Sequence, residues 1–188
     1  MDPPVVPRER LDGWERVDET TERAFAAGPV AVDASTVLYE RAAPEPPRPF
    51  CFASRLRIRP ATAPNATLTA LVERRARSGF RDRLAERDIE GVEHRGDRRI
   101  AVDDPSASRA RLSTFRGATR TAASGRRVPV EALLAVWAAG EYLLGGGAYP
   151  PDEASYPSGD GPEGARRELL GIVRGIESPD GGGGESDL

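Results

Sequence analysis

The stretch from Val128 to Tyr149 constrains the fold more than any other part of the chain. Leu133, Leu134, Ala135, Val136 and Trp137 are apolar at both odd and even positions. A strand with one wet face alternates; one without alternation is covered on both faces. Ala138-Ala139-Gly140-Glu141 then turns the chain into Tyr142-Leu143-Leu144, so the segment reads as a central hairpin. A sheet buried on both sides needs a layer on each side.

Two segments can supply those layers. From Ala66 to Arg87, Leu68, Leu71, Val72, Ala76, Phe80 and Leu84 recur at helical spacing, with Asn65 placed to cap the first turn. Gly79 interrupts this helix at a cost of about 1 kcal/mol relative to alanine and marks a bend or an end. Near the C-terminus Pro162 suits a first helical turn, and Ala165, Leu169, Leu170, Val173 and Ile176 line one face of a closing helix over 162–177.

The remaining elements read as strands. Trp14 to Phe25 and Val30 to Arg41 flank the Ala27-Gly28-Pro29 break, and Phe50 to Arg59 alternates Phe52, Ser54, Leu56 and Ile58 against Arg55, Arg57 and Arg59. Val92 to Val102 reads as a short hairpin around Gly96-Asp97, and Arg109 to Thr121 as another strand. The proline-rich run from Ala42 to Pro49 reads as a stiff connector. Strands joined by short turns with segregated helices predict an α+β domain: an antiparallel β-sheet packed with a long middle helix and a C-terminal helix. The expected layout is a flexible tail over 1–10, one domain over 11–177, and a glycine-rich acidic tail over 178–188.

Charge gives the lead toward function. All 27 basic residues are arginine. A G+C-rich genome explains the choice of arginine over lysine but not its clustering. Residues 48–127 hold 19 arginines against 9 carboxylates, while 1–47 hold 5 against 10 and 128–188 hold 3 against 11. A basic middle thus lies between two acidic ends. Arg55, Arg57 and Arg59 share one strand face, and Arg109 and Arg111 share another. If those strands were neighbours, the five guanidinium groups would repel one another unless an anion, a partner or internal carboxylates covered them. Glu73, Asp82, Glu86, Glu90 and Glu93 are the candidates for such an internal lattice.

Other constellations carry little chemistry. With a single Cys51 and a single His94, an intramolecular disulfide is excluded and a zinc site would need mostly carboxylates. Gly145-Gly146-Gly147 lacks the lysine and hydroxyl of a phosphate-binding loop and reads as a bulged or closely approached strand end. Asp97 could orient the His94 imidazole, but no motif places a nucleophile beside it. No catalytic residue, metal or cofactor is therefore expected. No secretory h-region or membrane-spanning run is present, so the expected location is cytoplasmic, away from the membrane.

Trp14-Glu15-Arg16-Val17, Val37-Leu38-Tyr39-Glu40 and the run from Ala135-Val136-Trp137 through Gly140-Glu141-Tyr142 to Pro150 resemble an uncharacterised family of small proteins from halophilic archaea. The closing Ile172-Val173-Arg174-Gly175-Ile176 and the order of elements resemble PsbP-like domains, in which an antiparallel sheet lies between helices. That resemblance implies binding to a larger partner, with no catalytic residues to carry over. The expected function is a non-enzymatic domain that binds an acidic protein partner through Arg55, Arg57, Arg59, Arg109 and Arg111. The alternatives are nucleic-acid binding, disfavoured because only Phe115 is placed for base stacking, and a small-ligand binder or enzyme.

Overall fold

The computed structural model describes residues 1–28, 30–42, 47–107, 109–121, 124–156 and 160–179. Along the chain run β1 (Trp14–Ala27), β2 (Val30–Arg41), β3 (Phe50–Arg59), α1 (Ala66–Ala85), β4 (Glu90–Ile100), β5 (Ala110–Arg120), β6 (Arg127–Ala139), β7 (Glu141–Tyr149) and α2 (Gly161–Arg174). The seven strands form one sheet in the order β1-β2-β3-β7-β6-β5-β4, every pair antiparallel. Two meanders therefore meet at β3 and β7, and α1 carries the chain from β3 to the opposite edge at β4.

The two-sided apolar run becomes β6, flanked by β7 and β5. Its even residues Val130, Ala132, Leu134 and Val136 pack toward α1 with Leu56, Phe115, Tyr142 and Leu144. Its odd residues Leu133, Ala135 and Trp137 pack toward α2 with Cys51, Leu143, Leu169, Val173 and Ile176. Burial on both faces is what removes the alternation from the sequence. Asn65 caps α1 by accepting from the Leu68 amide at 3.0 Å, and Tyr142 Oη and Thr69 Oγ1 lie 2.7 Å apart, tying the first helical turn to β7.

The glycine run lies within β7 in regular register, without a bulge. A Cβ at Gly145 would run into the Ile176 side chain, and one at Gly147 into the Phe50 carbonyl oxygen and, at 2.9 Å, Leu169 Cδ1. Bare backbone there lets α2 and the residues after it sit directly on the sheet.

Two expectations need correction. Residues 90–100 form one strand rather than a hairpin: Gly96-Asp97 has turn composition, but register shifts at 90/93 and 94/96 absorb it as irregularities in the β4–β5 ladder. The expected N-terminal tail is tied down from Val5, which bridges Glu177 through backbone hydrogen bonds of 2.9 and 3.0 Å, and Val6 is buried in the core beneath α2. The reversal at Pro29, the connector at 43–46 and the tail from residue 180 lie outside the described residues.

Candidate functional site

The arginine ladder on β3 forms, but carboxylates occupy much of it. Cys51 and Ala53 point toward α2, so the alternation places Arg55, Arg57 and Arg59 on that same face. Arg55 is buried and paired with Glu141 at the start of β7; Glu141 also accepts from Ser178 Oγ at 3.0 Å. Asp33 of β2 lies between Arg59 at 2.9 Å and Arg23 at 3.3 Å. Arg57 is exposed and makes no ion pair among the described residues.

Arg109 and Arg111 belong elsewhere. β7 and β6 separate β3 from β5, and Arg111 reaches Glu73 on α1 at 3.4 Å, so it projects from the α1 face. The five arginines are thus divided between opposite faces. Arg111 has a different neighbour that sequence reasoning missed: Arg99 lies directly opposite it across the β4–β5 ladder. Arg99, Arg109 and Arg111 line an open cleft of about 680 Å³ with Thr69, Glu73 and Asp97, beside the N-terminal half of α1. Reading residues 92–102 as a hairpin hid this register.

Within this corner Asp97 is the electrostatic pivot. It accepts from Arg111 Nη2 at 2.8 Å and Ser113 Oγ at 2.6 Å, and lies 2.9 Å from His94 Nε2. Its burial alone would raise the carboxyl, but the hydrogen bonds from Arg111, Ser113 and His94 win and hold it well below the usual carboxylate range. The hydrogen bond to Asp97, aided by Glu73, raises Arg111 further above its already high value. Ser113 donates to Asp97 and not to His94, so the imidazole is not its general base; a Ser-His-Asp relay needs the histidine between the other two. Arg99 and Arg109 make no ion pair among the described residues.

A second cleft, of about 670 Å³, opens on the same face between α1 and the β1–β3 meander. It exists because α1 lies over β6 and β4. Phe25, Leu38, Phe52 and Leu56 are among its apolar lining residues. Arginine side chains cross from the helix to the strands: Arg83 pairs with Glu22, Arg87 sits 2.8 Å from Glu40 and 4.2 Å over the Phe50 ring, and Arg75 lies 5.6 Å over Phe25.

The α2 face carries buried polar groups of a different kind. Glu131 accepts from Tyr149 and Arg166 and lies 3.5 Å from Arg116. Burial pushes the Tyr149 hydroxyl up, and Glu131 adds to the shift. Burial likewise pushes the Cys51 thiol up, with Glu168 contributing, which makes it inert as a nucleophile at neutral pH.

This arrangement of sheet, helices and clefts falls within a region, residues 3–177, that matches the domain of unknown function DUF6517. The chain belongs to the DUF6517 family. No curated protein and no solved structure matches it. In this DUF6517 domain, among the described residues, no helix is long and apolar enough to cross a membrane and no group of three metal-ligating side chains converges.

Proposed function

We propose that this DUF6517 domain is a non-enzymatic binding module that docks an acidic protein segment on the corner formed by Arg99, Arg109 and Arg111. The observation that carries this reading is the direct opposition of Arg99 and Arg111 across β4–β5, with Arg109 lining the same open cleft. Like charges facing each other across strands are destabilising, and Asp97 and Glu73 are committed to Arg111. Carboxylates of a partner would neutralise Arg99 and Arg109 through bidentate guanidinium contacts.

The resemblance to PsbP-like domains, which bind larger partners, supports the same class of function. In a cytoplasm of molar salt, as the haloarchaeal resemblance implies, the Debye length falls to about 3 Å, so short bidentate contacts persist where long-range attraction to a phosphate backbone fades. A second reading places the acidic partner on Arg57 and Arg59, favoured by the exposure of Arg57. Arg55 is committed to Glu141 in either case.

Titration with a fluorescent glutamate-rich peptide tests the proposal. Arg99→Gln/Arg109→Gln should abolish binding while the melting temperature holds, and Arg57→Gln/Arg59→Gln should leave it unchanged. The reverse pattern moves the site to β3. Tight binding of short duplex DNA that survives high salt and needs Arg99 and Arg109 would make this a nucleic-acid-binding domain instead.

A further inference from the structure

We infer that the cleft between α1 and the β1–β3 meander is a binding site for a neutral, largely apolar small molecule that carries one hydrogen-bonding oxygen. This site is separate from the arginine corner and does not depend on the function proposed for it.

Size is the first argument. At about 670 Å³ the cleft lies within the roughly 300–1,000 Å³ range of small-molecule pockets. Its lining is mainly apolar, and the cross-cleft pairs Arg83–Glu22 and Arg87–Glu40 partly roof it. The Phe52 and Phe80 rings, with centroids 5.6 Å apart, join strand to helix inside it.

Charge is the second. The arginines at the mouth are already engaged: Arg83 with Glu22 and Glu86, Arg87 with Glu40, and Arg75 over the Phe25 ring. Asp18 and Asp82 also line the cleft. A carboxylate or phosphate headgroup would have to displace an existing ion pair or draw Arg75 off the Phe25 ring, and would lie near those two acids. A neutral ligand meets neither cost.

The third argument is a row of hydroxyls on the floor. Thr20 pairs with Thr36 across β1–β2, and Thr36 pairs with Ser54 across β2–β3, so three hydroxyl side chains cross the strands in register, all lining the cleft. Thr36 Oγ1 and Ser54 Oγ are 2.7 Å apart, and Ser54 is only 6% exposed. Two hydroxyls that share one hydrogen bond hold a second proton, which can donate to a ligand carbonyl or hydroxyl oxygen. An otherwise apolar site with a few placed polar groups is the usual design of a specific small-molecule pocket.

Nile red, neutral and apolar with a carbonyl oxygen, is a suitable probe for the full chain. Its fluorescence should rise and saturate at one dye per chain. Gly79 lines the cleft, and a Cβ built there meets nothing within 4 Å, so the Cβ of Gly79→Trp finds open space and its indole is added at the cleft. That variant should weaken binding by about tenfold or more while its melting temperature is no lower than that of the parent. Thr36→Val/Ser54→Ala should weaken Nile red severalfold in a chain that still unfolds cooperatively. Farnesol should displace the dye, and farnesoic acid at neutral pH should not. Binding that never saturates, that persists unchanged in Gly79→Trp, or that the acid competes away better than the alcohol would overturn the assignment.

Discussion

The two faces of one sheet use the same residue types to opposite ends. On the α2 face the helix lies against β7 and β3, glycine backbone admits it at close range, and ionisable groups are tucked into pairs such as Arg55–Glu141 and Arg166–Glu131. On the α1 face the helix lies over β6 and β4, and clefts open on both of its flanks. Arginine closes the first face from within and bridges gaps on the second. On the proposed reading, stability falls to the α2 side and recognition to the α1 side, because a surface that binds must keep area free of its own core.

The largest expected effect is on the closed face. Trp137 is 2% exposed on β6, packed among residues of the α2 layer. Trp137→Ala should cost about 3–5 kcal/mol of unfolding free energy in denaturant titration. A loss under about 1 kcal/mol would mean this face is no better packed than the other.

Next comes Glu131, whose side chain is 6% exposed and holds Arg166, Tyr149 and Arg116 together. Removing one partner of a buried pair strands the others. Arg166, with its side chain 31% exposed, can recover some hydration, so Glu131→Ala should cost about 2–3 kcal/mol. If thermal unfolding shows the variant to be as stable as the parent, the closed face does not depend on this network.

How much of this contrast is visible in the sequence depends on the separation of the partners. The alternation of Phe52, Leu56 and Ile58 with Arg55, Arg57 and Arg59 is local and could be read directly, as could the two-sided burial of β6. The fate of the ladder was not readable. Its carboxylates come from β2 and β7; of the expected lattice, among the described residues, only Glu73 reaches one of the five arginines, Arg111, while Glu86 and Glu93 pair with Arg83 and Arg95. Arg99 stayed hidden because Gly96-Asp97 has the composition of a turn, whereas the β5 ladder holds it in a strand. The clefts had no local signal at all, since they follow from where α1 lies on the sheet.

On the open face a substitution can gain stability. Gly79 is in the middle of α1, and a methyl group there meets no atom within 4 Å. Gly79→Ala should raise stability by about 0.5–1 kcal/mol through backbone entropy. The same change at Gly145 on the closed face meets Ile176 and should destabilise instead. Equal signs at the two positions, measured by denaturant titration, would remove the distinction between the faces.

The smallest effect concerns pH, and it is confined to the arginine corner. Asp97 is held below the usual carboxylate range in the fold, while its unfolded value is about 3.9. A depressed carboxylate binds fewer protons folded than unfolded. Its contribution is therefore complete above the unfolded value and is lost as the pH falls from there through the lower folded value. Its partner Arg111 has a side chain 46% exposed, so solvent screening limits the contribution to about 1 kcal/mol or less. Asp97→Asn should accordingly lower stability slightly at pH 7 and flatten its decline below about pH 4, where the unfolded parent takes up the proton that the fold still excludes. Because the substitution also frees Arg111 from its closest carboxylate, it should strengthen capture of a glutamate-rich peptide at neutral pH. Weaker capture by Asp97→Asn would show that Asp97 orients the arginines for a partner rather than competing with it.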